Sequence, residues 1–162
     1  MTSKTFALVL ILTVALVAGV SGVSAQVSET DQLAQLRADI QADRQAVVTV
    51  NLKLSDAEGT AFWPLYREYR AEIAKAGDRM QKLIQDYAKV FDAATPEQAK
   101  AMVDELLAIQ RDELKVKESF LPKFRKVLPE VKVARFLQIE NKLDAVIKVG
   151  LASEIPLIEA GK

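Results

Sequence analysis

Trp63, Arg67 and Arg70 stand four and three residues apart, the spacing that stacks side chains along one face of a helix. An indole beside two guanidinium groups offers cation–π contacts and a flat apolar plate, chemistry suited to gripping an exposed segment of another protein. The plainer alternative is that the indole packs against a neighbouring helix, as large aromatics commonly do. A second candidate is the run Lys115, Lys117, Lys123, Arg125, Lys126, Lys132 and Arg135, opposed only by Glu118 and Glu130, for a local charge of +5. Such a patch attracts acidic or unfolded chains over about one Debye length, ~8 Å at physiological salt. The stretch from Asp92 to Glu113 is its opposite, with six acids against Lys100 and Arg111. Acids near a helix start and bases near its end also match the helix dipole, and the acidic half of one subunit can dock on the basic half of another. Asp43 and Glu113 interrupt apolar stripes, so each is expected to meet a basic partner or open to water. Two such carboxylates would hold at most a weak, hard cation.

Several chemistries are disfavoured by what the chain lacks. The 162 residues contain no histidine and no cysteine. That removes the usual general base near neutral pH, the commonest transition-metal ligand, thiol nucleophiles, thiolate zinc sites and disulfides. No glycine-rich loop is present to cradle phosphates, so any activity is expected to run without nucleotide. Basic and acidic residues balance at 22 each, which gives no counterion-release term for nucleic acid. No catalytic residue, cofactor or metal ligand is assigned, and the reading is a binding protein rather than an enzyme.

The first 25 residues are expected to be a secretory signal peptide. Lys4 supplies the positive start, residues 6–20 (FALVLILTVALVAGV) form an apolar stretch, and Val23-Ser24-Ala25 places small residues before a cleavage after Ala25. The apolar run is short for a membrane span, which needs about 20 residues. The expected product is an exported, periplasmic protein with no membrane attachment after cleavage.

Residues 26–162 read as one all-α domain of four helices, at about 30–51, 56–91, 96–127 and 130–152, with a short C-terminal tail. The first carries Leu33, Leu36, Ile40, Val47, Val50 and Leu54, with Asp43 on the same stripe. Leu54-Ser55-Asp56-Ala57-Glu58 follows, where Ser55 and Glu58 can form a capping box contributing about 1 kcal/mol. The second helix is striped by Phe62, Tyr66, Tyr69, Ile73, Ala76, Met80, Leu83, Tyr87 and Val90, and Pro64 is expected to kink it. Thr95-Pro96-Glu97-Gln98 opens the third helix, striped by Met102, Leu106, Ile109, Val116, Phe120, Phe124 and Val127, with a kink or break expected at Pro122. Leu128-Pro129-Glu130 restarts the chain into a helix carrying Val133, Phe136, Ile139, Leu143, Val146 and Gly150, and Pro156 ends it. A helix over 56–91 would be about 54 Å long, whereas a compact domain of this size is only about 37 Å across. The expectation is therefore an elongated molecule whose apolar stripes are covered by a second copy or left open to partners.

The segment from Leu52 to Tyr69 (LKLSDAEGTAFWPLYREY) resembles the helix-start motif of the Spy/CpxP family of small periplasmic proteins. Its Leu-Thr-x-x-Gln motif appears as Leu54-Ser55-Asp56-Ala57-Glu58, with both changes preserving a capping box. A second copy would fall at Leu128-Pro129-Glu130-Val131-Lys132, where Pro129 and Lys132 replace the capping residues. The resemblance implies a cradle-like antiparallel homodimer of kinked helical hairpins, acting as an ATP-independent holdase for unfolded proteins or in the envelope stress response. The alternatives are a regulatory module docking on an envelope sensor protein and an architectural helical dimer. The residues expected to attract a client or partner are Arg67, Arg70, Lys115, Lys117, Lys123, Arg125 and Lys126, with Trp63 for contact.

Overall fold

The computed structural model describes residues 42–159, and the segment holding the expected signal peptide and its cleavage point lies outside them. The described chain is all-α, with no strand among its residues: α1 (residues 42–52), α2 (Asp56–Tyr87), α3 (Pro96–Val127) and α4 (Glu130–Glu154). No helix among the described residues is long and apolar enough to cross a membrane.

Local chemistry sets most of the boundaries. α1 ends at Lys53, whose φ of 52° is the left-handed turn that closes many helices, here without a glycine. Ser55 then caps α2. Its hydroxyl accepts from the Glu58 amide at 3.4 Å, and its own amide donates to the Glu58 carboxylate at 2.7 Å. Thr95 and Gln98 repeat this box at the start of α3, with Pro96 at the first helical position. α4 starts on Pro129 with no side-chain cap, as the degenerate second motif suggests.

Some expectations need correction. α2 stops at Tyr87 rather than 91, because residues 88–93 close three-residue turns instead, with Val90 donating to Tyr87 and Ala93 to Val90. α4 runs two residues beyond 152, to Glu154. Of the kink or break expected at Pro122, the break is absent, and α2 continues through Pro64, where a kink and no break was expected. Both prolines are exposed, as are Thr60 and Glu118 four residues earlier, so the carbonyls that lose a partner lie within reach of water. The buried face of α1 is Arg44, Val48 and Leu52, not the Val47/Val50 stripe, and Asp43 is exposed. Aliphatic residues at 47, 48, 50 and 52 allow two helical stripes, and the packed one includes a charged residue. On α4, Val133, Phe136 and Ile139 are buried as expected, but Val146 is 73% exposed.

The core lies where the start of α2, the end of α3 and the start of α4 converge. Phe62, Tyr66 and Tyr69 of α2 interlock with Phe120 and Phe124 of α3 and Phe136 of α4. Ring centroids are 4.6 Å apart for Phe124–Phe136, 5.4 Å for Phe62–Phe136 and 5.6 Å for Tyr69–Phe120, within the range of favourable edge and offset contacts. Val48 and Leu52 complete the cluster from α1. At the other end of the hairpin the tail returns to the α2–α3 turn: Tyr87 donates its hydroxyl proton to the Pro156 carbonyl at 2.8 Å, and the Glu159 amide donates to Phe91 at 3.1 Å.

Candidate functional site

The most unusual chemistry in the described chain is a charge cluster beside this aromatic core, contributed to by all four helices. Glu140, only 1% exposed, is its centre. Arg44 of α1 donates to its carboxylate at 3.0 Å, Arg70 of α2 at 3.1 Å, and the Tyr66 hydroxyl at 3.3 Å. The second Arg44 nitrogen donates to Asp144 at 2.9 Å, and Lys117 of α3 reaches the other Asp144 oxygen at 3.4 Å. Three cations thus share two carboxylates in a largely dry setting.

The helical register brings these groups together. Glu140 stands four residues beyond Phe136 and one beyond Ile139, so it faces the same way as the core stripe of α4. Arg44 occupies the matching position on α1, four residues before Val48. Burial opposes the charge on Arg44, but the facing Glu140 and Asp144 carboxylates outweigh it and raise its pKa. Burial, and then Glu140, push the Tyr66 phenol well above its ordinary range, so it remains a proton donor. Burial does the same to Tyr69, whose hydroxyl, with Arg70 Nε, is buried without a hydrogen-bond partner among the described residues. Glu140 and Arg44 are out of water while Asp144 and Lys117 reach its edge, and the ion pairs tie α4 to α1, α2 and α3.

The expected contact residues fall into four groups. Arg70 is 13% exposed and engaged with Glu140, so its charge is turned inward and it does not continue an exposed Trp63–Arg67 face. Trp63 sits at the edge of the core, its ring 5.1 Å from Phe62 and 5.6 Å from Tyr66, while one side borders a shallow groove with Thr49, Leu54 and Gly59. Four cations of the basic run are held by the chain itself: Lys115 by Asp112 at 3.0 Å, Lys117 by Asp144, Arg125 by Glu130 at 2.8 Å, and Lys132 by Glu58. Arg135 also donates to the Asn51 carbonyl at 2.6 Å. Lys123 lies 4.2 Å above the Phe120 ring, at the mouth of a groove between α2 and α3. Arg67 and Lys126 are exposed and make no ion pair among the described residues, and Lys115 and Arg125 stay 72% and 50% exposed in their surface pairs, so of the expected cations only Arg70 and Lys117 are partly buried.

The family-motif residues have defined local roles. Leu54 packs against the core, Ser55 caps α2, and Glu58 joins the cap to α4. The Lys132 ammonium, followed by the Ser55 amide, holds the Glu58 carboxyl down to about 2. Sequence reasoning missed Arg44, Glu140 and Asp144. The available signal was a pair of opposite charges, each placed within the core register of a different helix.

No protein-family model matches the chain, and no match is found among curated proteins or solved structures.

Proposed function

We propose that this is an exported, periplasmic, ATP-independent holdase that binds partly unfolded proteins as a homodimer. The observation that carries the reading is the amount of large apolar surface facing outward on a chain with a well-formed aromatic core. Val103, Leu107 and Leu114 are exposed on α3, at four- and seven-residue steps that place them along one face. Val146 and Val149 of α4 and Leu157 of the tail are exposed as well. Patches of this kind on soluble proteins mark sites of association. Arg67, Lys123 and Lys126 supply outward positive charge for attracting acidic clients, with the open side of Trp63 for contact.

The test is light scattering of a denatured model client diluted into buffer with and without the purified protein, at low and high salt. The expected result is suppression of aggregation at stoichiometric amounts, weaker at high salt. Absence of protection at both salt concentrations overturns the proposal.

A further inference from the structure

We propose that the outward face of α3 is the seat of a second copy of this chain, with the two α3 helices antiparallel and in one defined register. The inference rests on the homodimer part of the reading above and deepens it; client holding plays no part in its derivation.

α3 carries two apolar faces. Ile109, Phe120 and Phe124 are buried, whereas Val103, Leu107 and Leu114 are 55%, 45% and 55% exposed. Together with exposed Gln110, these three fall at steps of four, three and four residues, the spacing of a two-stranded coiled-coil seam. A helix in contact with one neighbour needs one apolar stripe; a second stripe of this kind calls for a second neighbour.

The charges beside the seam select that neighbour and its direction. Asp104 and Arg111 flank the seam on the same edge, and both are exposed. Arg111 makes no ion pair among the described residues. Asp104 holds Lys100 through one oxygen at 2.5 Å, in a pair whose side chains are 61% and 78% exposed, so its other oxygen is left to accept. Let two copies run antiparallel, with Leu114 over Val103 and Leu107 over Gln110. Each Arg111 then lies beside the Asp104 of the other copy, and two-fold symmetry makes that contact twice. Sliding one copy by a heptad brings Asp104 onto Asp104, or Arg111 onto Arg111. A parallel pair places Glu113 beside Glu118 twice and offers Arg111 only Leu106. Like charges in contact thus count against each alternative. The favoured register also faces Glu97 with Glu118, but beyond the last apolar layer and beside Lys100, where water screens them. Unfolded clients present no fixed charge order, so a pattern complementary to itself points to another copy of the chain.

The seam is short. Val103 to Leu114 spans about 17 Å, so the dimer belongs with small, exchanging interfaces and is expected to part on dilution. Val146, Val149 and Leu157 lie on other elements, which makes dimer formation and client contact separable by substitution.

The experiment is sedimentation velocity of the full chain over a dilution series, comparing the wild type with Arg111→Asp, Asp104→Arg and the double exchange. Each single exchange sets like charges against each other at both contacts and is expected to raise the dissociation constant at least about tenfold. The double exchange is expected to restore it to within about threefold of the wild type. Circular dichroism checks that these exposed substitutions leave the helices folded. Because the chain has no cysteine, a mixture of Val103→Cys and Leu114→Cys proteins reports direction after oxidation. A disulfide joining position 103 of one copy to 114 of the other is expected; bridges between like positions alone overturn the antiparallel arrangement. A dimer unmoved by either single exchange, or not restored by the double one, overturns the seam and leaves the homodimer reading standing. A wild type that stays monomeric throughout removes both, while light scattering with the model client still judges the holdase. If a charge variant fails to fold, the wild-type dilution series and the mixed disulfide decide.

Discussion

Glu140 accepts from Arg44, Arg70 and Tyr66, and because Arg44 keeps Asp144 at 2.9 Å, the cost of losing Glu140 falls mainly on Arg70. Glu140→Gln is expected to destabilise the fold by about 3–5 kcal/mol, the usual penalty for unpairing a buried charge. Replacing Arg44, Arg70 and Glu140 together by methionine removes the buried charges at similar volume but takes the acceptor from the Tyr66 hydroxyl and one partner from Asp144, and is expected to cost less than Glu140→Gln alone. Urea denaturation of the two proteins checks the order. Glu58 carries a pH signature. Its folded pKa of about 2 lies below the ordinary 4.5, so between those values the unfolded chain binds more protons. Its contribution is thus fully present above about pH 4.5 and fades as pH falls towards 2. Lys132→Met is expected to flatten that part of the stability profile, measured as the urea midpoint from pH 6 to pH 2.

At the scale of the helices, the caps were legible because their chemistry is local. Ser55 with Glu58, and Thr95 with Gln98, need only neighbours three residues away, and both boxes are formed. The α2 and α3 stripes were legible for a related reason: aromatic residues at three- and four-residue steps leave one plausible inner face. α1 was misread because its aliphatic residues offer two faces, and the decision between them was made by Glu140, 96 residues away from Arg44. The basic run was misread for the same kind of reason, since Lys132 and Lys117 find their acids on other helices. Sequence adjacency shows a charge cluster; only packing shows which charges are already answered. Ser55→Ala and Thr95→Ala are each expected to cost about 1 kcal/mol. Thermal denaturation of the single and double variants should show the two losses adding, because the caps open different helices and share no partner.

Across the described residues, the division is between a tightly ringed end and a long α2–α3 hairpin with apolar residues facing out. Each of these helices has 32 residues, about 48 Å. Leu107→Glu with Leu114→Glu is expected to weaken client capture or dimer formation while changing stability by no more than about 0.5 kcal/mol per site, since both positions are exposed. Sedimentation velocity and the scattering assay read the two effects separately from the denaturation curve. The returning tail has a mechanical corollary. Pulled from its C-terminus, the chain first loads two isolated bonds, Tyr87 to Pro156 and Glu159 to Phe91, at the far tip of the hairpin. Those bonds would yield one after the other, like the last stitches of a hem, and give a low-force event well before the ringed end felt the load. A handle or fused domain attached there would therefore strain the tip first and load the aromatic end only after both bonds had parted.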